Sequence, residues 1–543
     1  MKLRNIFLTG MALCSFSLFA QTHVEGIEYY KADQFNNAEE LLKRNYNNAG
    51  TDQSLSDYYL GQIAFMRGNK DEAKKYFDSG IQKDAANPYN YIGLGYMALK
   101  GGDLKTAEKY FKEAESKDKK NQSVQMEIAR AYFDVDPVQY KNKYEKRISD
   151  AIKKDINNPD IYILRGDINR QEAYFTSDPK AYGRAASEYD MATSNDPTSA
   201  VAYVKYADMY LKSDNHQYAI AKLEELIQNN PNSALGQRQL ANALYDNKKY
   251  KEAVTQYGKY VQNPSHFKAD EDRYAFLLFY DNDFQQGYDY ATQLLQQNPE
   301  NFTAQRFQFM NAAQLKELED QWLPMADALL SKHKANADNK FAPIDYNLIA
   351  EELTKAKRFD EALALLNEAM QENPTSTAFY KNLAAVYTAQ EDYGKTADVY
   401  SEYIDKLENP GYNDLIQAAV YAYFGGVTTG DAKYYDKGTE LANKASEVYP
   451  EMYKPYKVLG DIQALRASDA DAPFVAFDNY TKALELLGDN PDPKYNNDLK
   501  IIYRYLGIYN VEKKDKEKAK YFLNKYLELN PTDTQIKNFV NSL

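Results

Sequence analysis

The sequence predicts an all-α chain built as a solenoid of repeated helix pairs. Three observations carry this. Helix breakers are scarce, with 24 Gly and 18 Pro in 543 residues, below the ordinary share. Asx-Pro steps recur at Asn158-Pro159, Asp196-Pro197, Asn230-Pro231, Asn263-Pro264 and Asn298-Pro299, spaced 38, 34, 33 and 35 residues apart. Between these steps, apolar and aromatic residues fall at helical spacing. Asn tolerates a cap conformation and the residue before Pro is pushed out of the α region, so each step ends one helix and lets the next begin. Asn373-Pro374, Asn409-Pro410, Asn490-Pro491 and Asn530-Pro531 continue the series, with Tyr449-Pro450 among them.

The first element is an address. Lys2 and Arg4 precede a largely apolar stretch, Ile6 to Phe19, that is too short to span a bilayer. Leu18 to Ala20 ends in a small residue, with Ser17 just before, so cleavage is expected after Ala20 and the mature chain starts at Gln21. Cys14 follows Leu13 rather than a small residue, which argues against a lipidation signal. Cleavage removes the only Cys and two cations, taking the net charge from -13 to -15. A chain without thiols is indifferent to an oxidising compartment. No later stretch approaches 18 apolar residues, so direct membrane insertion is not expected.

The helix pair is clearest between Tyr203 and Pro231. Tyr203, Tyr206, Ala207 and Tyr210 lie on one face of a first helix, Ser213-Asp214-Asn215 makes a turn, and Ala219, Leu223 and Leu226 form one face of a second. Ala207 and Ala219 are small where the two helices would cross, and the flanking Tyr and Leu fill the space around them. This pattern resembles the tetratricopeptide repeat, in which an aromatic, Leu-Gly, Tyr, Ala, Phe, Ala and a closing Pro recur over about 34 residues.

Taken in order, a weak copy starts near Gly26, and Leu60, Gly61, Ala73 and Phe77 mark the next. Tyr91, Leu94, Gly95, Ala98, Ala107, Phe111 and Ala114 match closely. Weaker copies start near Val124 and Tyr162, before the Tyr203 pair, and near Gln237, Glu271 and Gln305 after it. Tyr346, Ile349, Ala350, Leu353, Ala362, Leu366, Ala369 and Pro374 match closely again. Tyr380, Leu383, Ala384, Tyr387 and Tyr400 follow, then weaker copies near Leu415 and Tyr456. Tyr503, Leu506, Gly507, Ala519, Leu523 and Pro531 close the series, and Asp533 to Leu543 reads as a capping helix with Ile536, Phe539 and Val540 on its inner face. The resemblance implies a right-handed superhelical solenoid of about 14 repeats, with the first helix of each pair lining a concave face.

Departures from the pattern set the expected organisation. Insertions between paired helices are read around Asp134 to Lys146, Ala173 to Arg184, Gly425 to Lys437 and Ala467 to Phe474. The poorest copy holds the only Trp, Trp322, close to Pro324, and reads as a joint. The expected division is a signal peptide at 1–20, an N-terminal array at 21–301, a divergent repeat or joint at 302–341, a C-terminal array at 342–531 and a cap at 532–543.

Composition excludes several chemistries. An acidic chain is not a general nucleic-acid binder. Four His and one Cys, with no His-Glu-x-x-His, make a metal or cofactor site unexpected, and no catalytic constellation stands out. Gly425 to Asp431 has the glycine spacing of a phosphate loop, but Asp431 and Ala432 stand where Lys and Ser/Thr are needed, so it reads as a turn. Asp469-Ala470-Asp471 lacks the Gly and terminal Glu of a calcium loop and reads as a solvated insertion.

The resemblance points to the concave face instead. Lys205, Arg238, Arg273, Arg306 and Lys381 fall on first helices, as do Asn242, Asn347 and Asn382, with Phe276, Phe279, Phe307 and Met310 interspersed. Arg and Asn hold carboxylate oxygens while apolar neighbours take side chains, which makes this a candidate groove for an acidic, aromatic-bearing or C-terminal peptide segment. The expected function is a non-enzymatic, exported scaffold or adaptor in the periplasm. Its expected partners are other proteins, envelope or outer-membrane components, rather than nucleic acid. A holdase chaperone shares these features. A glycan- or nutrient-capture accessory protein is the remaining alternative, disfavoured by the missing lipidation signal and the single Trp.

Overall fold

The computed structural model of the chain describes residues 22–176, 178–467 and 474–543. The expected signal peptide with Cys14, and the Asp469-Ala470-Asp471 segment, lie outside the described residues. Among those described, 29 helices follow one another as fourteen consecutive pairs and one closing helix. The chain divides into two compact units, Met1–Gly287 and Tyr288–Leu543. The division runs through α16 (Phe284–Gln297), upstream of the 302–341 segment read as a joint.

Helices are numbered in chain order, so odd numbers are first helices and even numbers second helices. In the first unit the first helices are α1 (Val24–Lys31), α3 (Gln53–Met66), α5 (Tyr89–Lys100), α7 (Gln122–Val135), α9 (Pro159–Thr176), α11 (Ala200–Lys212), α13 (Ala234–Asp246) and α15 (Lys268–Tyr280). In the second they are α17 (Phe302–Ala312), α19 (Pro343–Lys355), α21 (Tyr380–Ala389), α23 (Tyr412–Thr429), α25 (Tyr453–Arg466) and α27 (Asn496–Glu512). Each packs on its own second helix, and first helices of neighbouring repeats lie side by side, as α3 does on α5, α5 on α7 and α19 on α21. The cap is α29 (Thr534–Ser542), where Val540 is buried, Ile536 half-buried and Phe539 exposed.

Close crossing explains the pairing. Phe77, on α4 (Lys70–Lys83), is fully buried between Gly61 of α3 and Gly93 of α5. A Cβ on Gly61 would lie 2.5 Å from the Phe77 ring, and one on Gly93 2.4 Å from it. Gly95 against Phe111, Gly166 against Tyr189 and Gly507 against Leu523 repeat the arrangement. A single contact of this kind closes one repeat and seats the next.

The turn between paired helices is written in the backbone. In ten pairs it passes through one left-handed residue: Asp33, Gly68, Gly102, Asp214, Lys248, Asn282, Lys357, Glu391, Gly430 or Lys514. Asn69 and Asn215 donate their backbone N–H back to Ala64 and Tyr210, at 2.9 and 2.8 Å, which satisfies carbonyls of the last helical turn. Among the described residues the other four pairs show none: three of those read as carrying insertions and the one read as divergent.

Two of those insertions differ from the expectation of an inter-helix loop. Residues around 173–184 extend α9 to 18 residues and α10 (Pro179–Asn195) to 17. Residues around 425–437 do the same for α23, with 18, and α24 (Ala432–Val448), with 17. Gly425 and Gly426 therefore sit inside a helix rather than in a turn, where the missing Cβ leaves room for the Tyr434 and Tyr435 rings. Only Gly430, left-handed at φ 71°, makes the turn. In the divergent copy, the Trp322 indole donates to the Ala312 carbonyl at 2.6 Å and ties α18 (Glu319–Ala335) to the end of α17.

Two substitutions separate packing from propensity. Gly61→Ala is expected to lower stability by about 1–3 kcal/mol through overpacking against Phe77. Gly183→Ala, in an exposed stretch of α10 with nothing within 4 Å of the new Cβ, is expected to raise it by about 0.5–1 kcal/mol. Urea titration of both variants checks the opposite signs.

Candidate functional site

The inner face of the first unit is largely taken up by its own N-terminus. Helix α1 packs against α11 and α13 as well as its neighbour α3. Lys31 Nζ lies 3.1 Å from Asp160 Oδ1, at the start of α9. Asp33, at the left-handed turn after α1, receives Arg170 Nη2 at 2.7 Å and Lys205 Nζ at 3.0 Å. On α2 (Phe35–Asn45), Arg44 donates to the His266 carbonyl at 3.0 Å, and the buried Tyr29 ring stands edge-on to Phe267 at 5.3 Å. Burial opposes the charge on Asp33, but Lys205 and Arg170 override it and hold its pKa below the ordinary value. Burial likewise opposes the Lys31 ammonium, and Asp160 and Glu127 outweigh it and hold its pKa high.

The groove residues read from the sequence do lie on first helices, and their charges are answered within the chain. Lys205 is 2% exposed and also donates to Asp167 at 2.9 Å. Arg238 grips Asp270 of α15 through Nε at 2.6 Å and lies over the Phe267 ring. Asn242 accepts from Arg273 at 3.1 Å and from the Tyr257 hydroxyl. Phe276 packs on Tyr280 at 4.4 Å, and Phe279 is buried.

In the second unit, Arg306 of α17 donates through Nε to Asp345 Oδ2 of α19 at 2.8 Å. Asp345 is fully buried, and the same oxygen takes the Ala342 N–H at 2.7 Å while Oδ1 has no hydrogen-bond partner. Burial pushes the Asp345 pKa up, and Arg306 offsets this in part. Phe307 and Met310 are buried. Asn382 donates to the Asn347 carbonyl and Asn347 to the Ala378 carbonyl, both at 3.3 Å. Lys381 is 55% exposed, 3.0 Å from Asp414 and above the Tyr403 ring. Arg238, Arg306 and Lys381 thus each reach a carboxylate of the next first helix, as Arg130 of α7 reaches Asp167 of α9 at 2.8 Å.

Two features escaped sequence reasoning. One is the set of acceptors, Asp167, Asp270, Asp345 and Asp414. Their signal is an acid roughly one repeat after each inner cation, hidden among 79 Asp and Glu. The other is a chamber of about 720 Å³ in the first unit, lined from α1, α5, α7 and α9 among others. Among the described residues no group of three His, Cys, Asp or Glu is placed to hold a metal ion. No helix there is long and apolar enough to cross a membrane.

Family comparison agrees with the helix pairs. Models described as tetratricopeptide repeat match residues 60–124 and 205–266, and a further one matches 353–418. No curated protein matches the sequence. Among solved structures, the chain is similar to the C-terminal part of a TPR repeat-containing protein from Cytophaga hutchinsonii. That match has 19% identity and a TM-score of 0.41, covering 49% of this chain and 98% of that one. A tetratricopeptide repeat protein from Parabacteroides merdae matches at 13% identity and a TM-score of 0.34, covering 49% and 98%. Yeast Tom70 matches at 16% identity and a TM-score of 0.31, covering 85% and 96%.

Arg306→Ala strands a buried carboxylate and is expected to cost about 3–5 kcal/mol, whereas the double variant Arg306→Met, Asp345→Asn costs less. Urea unfolding of the two variants tests this order. A second test uses pH. Burial, with Glu25 and Asp196 nearby, pushes the half-buried Glu28 up to about 7 from an ordinary 4.5 despite Lys31. A raised folded-state pKa contributes stability that is present at low pH and lost as pH rises through 7. Glu28→Gln is therefore expected to stabilise by about 1–3 kcal/mol at pH 8, with the gain gone below about pH 4.5. Melting curves across that range check it.

Proposed function

We propose that this chain, built from tetratricopeptide repeats, is an exported scaffold whose second unit binds a segment of a partner protein. The repeats support protein–protein interaction as the general role. One observation favours the second unit: its inner positions at Asn347, Lys381 and Asn382 keep exposed or half-exposed polar groups, whereas the corresponding face of the first unit is crossed by α1. Lys381 is more than half exposed, so a carboxylate of a docked segment finds a cation there, beside the half-exposed Asn347 and Asn382. The location is part of the same proposal: the N-terminal twenty residues direct export to the periplasm, where envelope proteins are the partners.

The ion pairs decide how to test it. Substituting Arg238 or Arg306 would strand a buried Asp270 or Asp345 and confound binding with unfolding. Lys381→Gln with Asn382→Ala removes the exposed cation without adding an acid, and Asp414 keeps its bonds from the Tyr403 hydroxyl and the Gly411 N–H. After cross-linking in the intact envelope, this variant is expected to recover the wild-type partners about tenfold less well, the scale of one to two lost polar contacts. Undiminished recovery rejects the second-unit face. N-terminal sequencing of the mature protein is expected to start at Gln21, and an intact Met1 rejects export.

A further inference from the structure

The chamber of the first unit has a charge pattern that its own ion pairs leave incomplete. Lys31 is answered by Asp160, Arg130 by Asp167, Arg170 by Asp33 and Lys212 by Asp208. Two further carboxylates line the same space, Glu127 and Asp134, both on α7. Neither has a cation within 4.0 Å among the described residues. Glu127 accepts one hydrogen bond, from the Tyr58 hydroxyl at 3.2 Å. Asp134 is exposed on one side, and the protein packed around it, with Asp167, Glu127 and Asp33 nearby, raises its pKa to about 6 despite Arg130.

Seven residues separate the two carboxylates, so they stand about 10 Å apart along the helix axis and on the same face. Arg130 lies between them with its charge engaged by Asp167. Aromatic rings supply the rest of the wall: Tyr30, Tyr96, Phe133 and Phe175. Phe175 and its neighbour Tyr174 are also strongly exposed, so the chamber opens to solvent on their side. The order negative, neutralised, negative along α7 calls for a ligand that is positive, neutral and positive. Ring faces suit both its methylenes and its cationic ends.

We infer that this chamber binds a linear diamine, its terminal ammonium groups held by Glu127 and Asp134 and its methylene chain lying against the aromatic wall. The site belongs to the first unit and does not depend on the peptide-binding reading of the second. A monoamine satisfies one carboxylate and is the weaker ligand. An inorganic cation gains nothing from the apolar wall.

Titration calorimetry on the full mature chain, with 1,8-diaminooctane, cadaverine and hexylamine as probes at about 0.15 M salt, tests the inference. 1,8-Diaminooctane or cadaverine is expected to bind about tenfold more tightly than hexylamine. Glu127→Gln and Asp134→Asn are each expected to weaken the better diamine about fivefold or more, and Asp78→Asn, an exposed carboxylate of α4, to leave it unchanged. Each single variant is read on its own, with its melting curve confirming the fold. No binding by the wild-type chain overturns the inference. So does equal binding by both chamber variants, which would mean diffuse attraction to an acidic surface, and so does hexylamine binding as well as the diamines.

Discussion

The whole array rests on how closely the two helices of a pair cross. A residue without a side chain on the first helix admits a ring or leucine from the second, and the fit tolerates no added methyl group: the Gly61 and Gly93 backbones both touch Phe77. Because these two glycines belong to consecutive repeats, the contact sets the geometry inside one repeat and its offset from the next. Stability then accumulates as a sum of repeat and neighbour terms. The left-handed turn residue follows from the same constraint, since helices crossing this closely are joined here by turns of only a few residues. Residues other than glycine fill that turn in seven pairs, Lys248 and Glu391 among them. The left-handed strain of about 1 kcal/mol at each is outweighed by the packing it permits.

Close crossing also decides what happens to inner-face charge. First helices brought side by side place a cation of one repeat against a carboxylate of the next, as Arg130 meets Asp167, Arg238 meets Asp270 and Arg306 meets Asp345. Three of these carboxylates are almost or fully inaccessible, so their cations cannot turn toward an incoming acid without leaving a buried charge behind. The inner cations therefore act first as ties between repeats. Lys381 is the exception, tied to Asp414 yet more than half exposed, and the proposed binding groups are accordingly those in reach of solvent: Lys381 and the Asn347–Asn382 pair in one unit, Glu127 and Asp134 in the other.

This division explains what the sequence disclosed. Helix pairs, their number and the closing helix were legible because a period near 34 residues repeats local rules, and each copy corroborates the others. Tie positions such as Arg238 and Arg306 were legible as inner-face residues, but their partners were not. Those lie 32 and 39 residues on, in a chain where an acid is rarely far away. Insertions at 173–184 and 425–437 were visible as broken register, and their outcome as added helical turns was not. Whether extra residues loop out or extend a helix depends on rings such as Tyr434 that meet Gly425 only in three dimensions. The docking of α1 left no trace at all: its ties join residues 129, 172 and 222 positions apart, and no periodicity reports contacts of that range.

That docking changes what kind of ligand the first unit can take. An open inner face presents charges in a row and suits an extended segment. With α1 in place, Lys31 and Asp33 occupy the positions such a segment would use, and they answer Asp160, Arg170 and Lys205 from within the chain. The remaining space opens to solvent beside Tyr174 and Phe175, is of molecular rather than polymeric size, and is partly aromatic in its walls. Its two unanswered carboxylates stand on one helix at a fixed separation, so selectivity comes from the distance between charges. On the two readings proposed above, one repeat architecture serves two kinds of recognition: a short ligand measured against α7, and a chain segment laid across α19 and α21. The difference between them is made by the first helix pair and by nothing in the repeat itself.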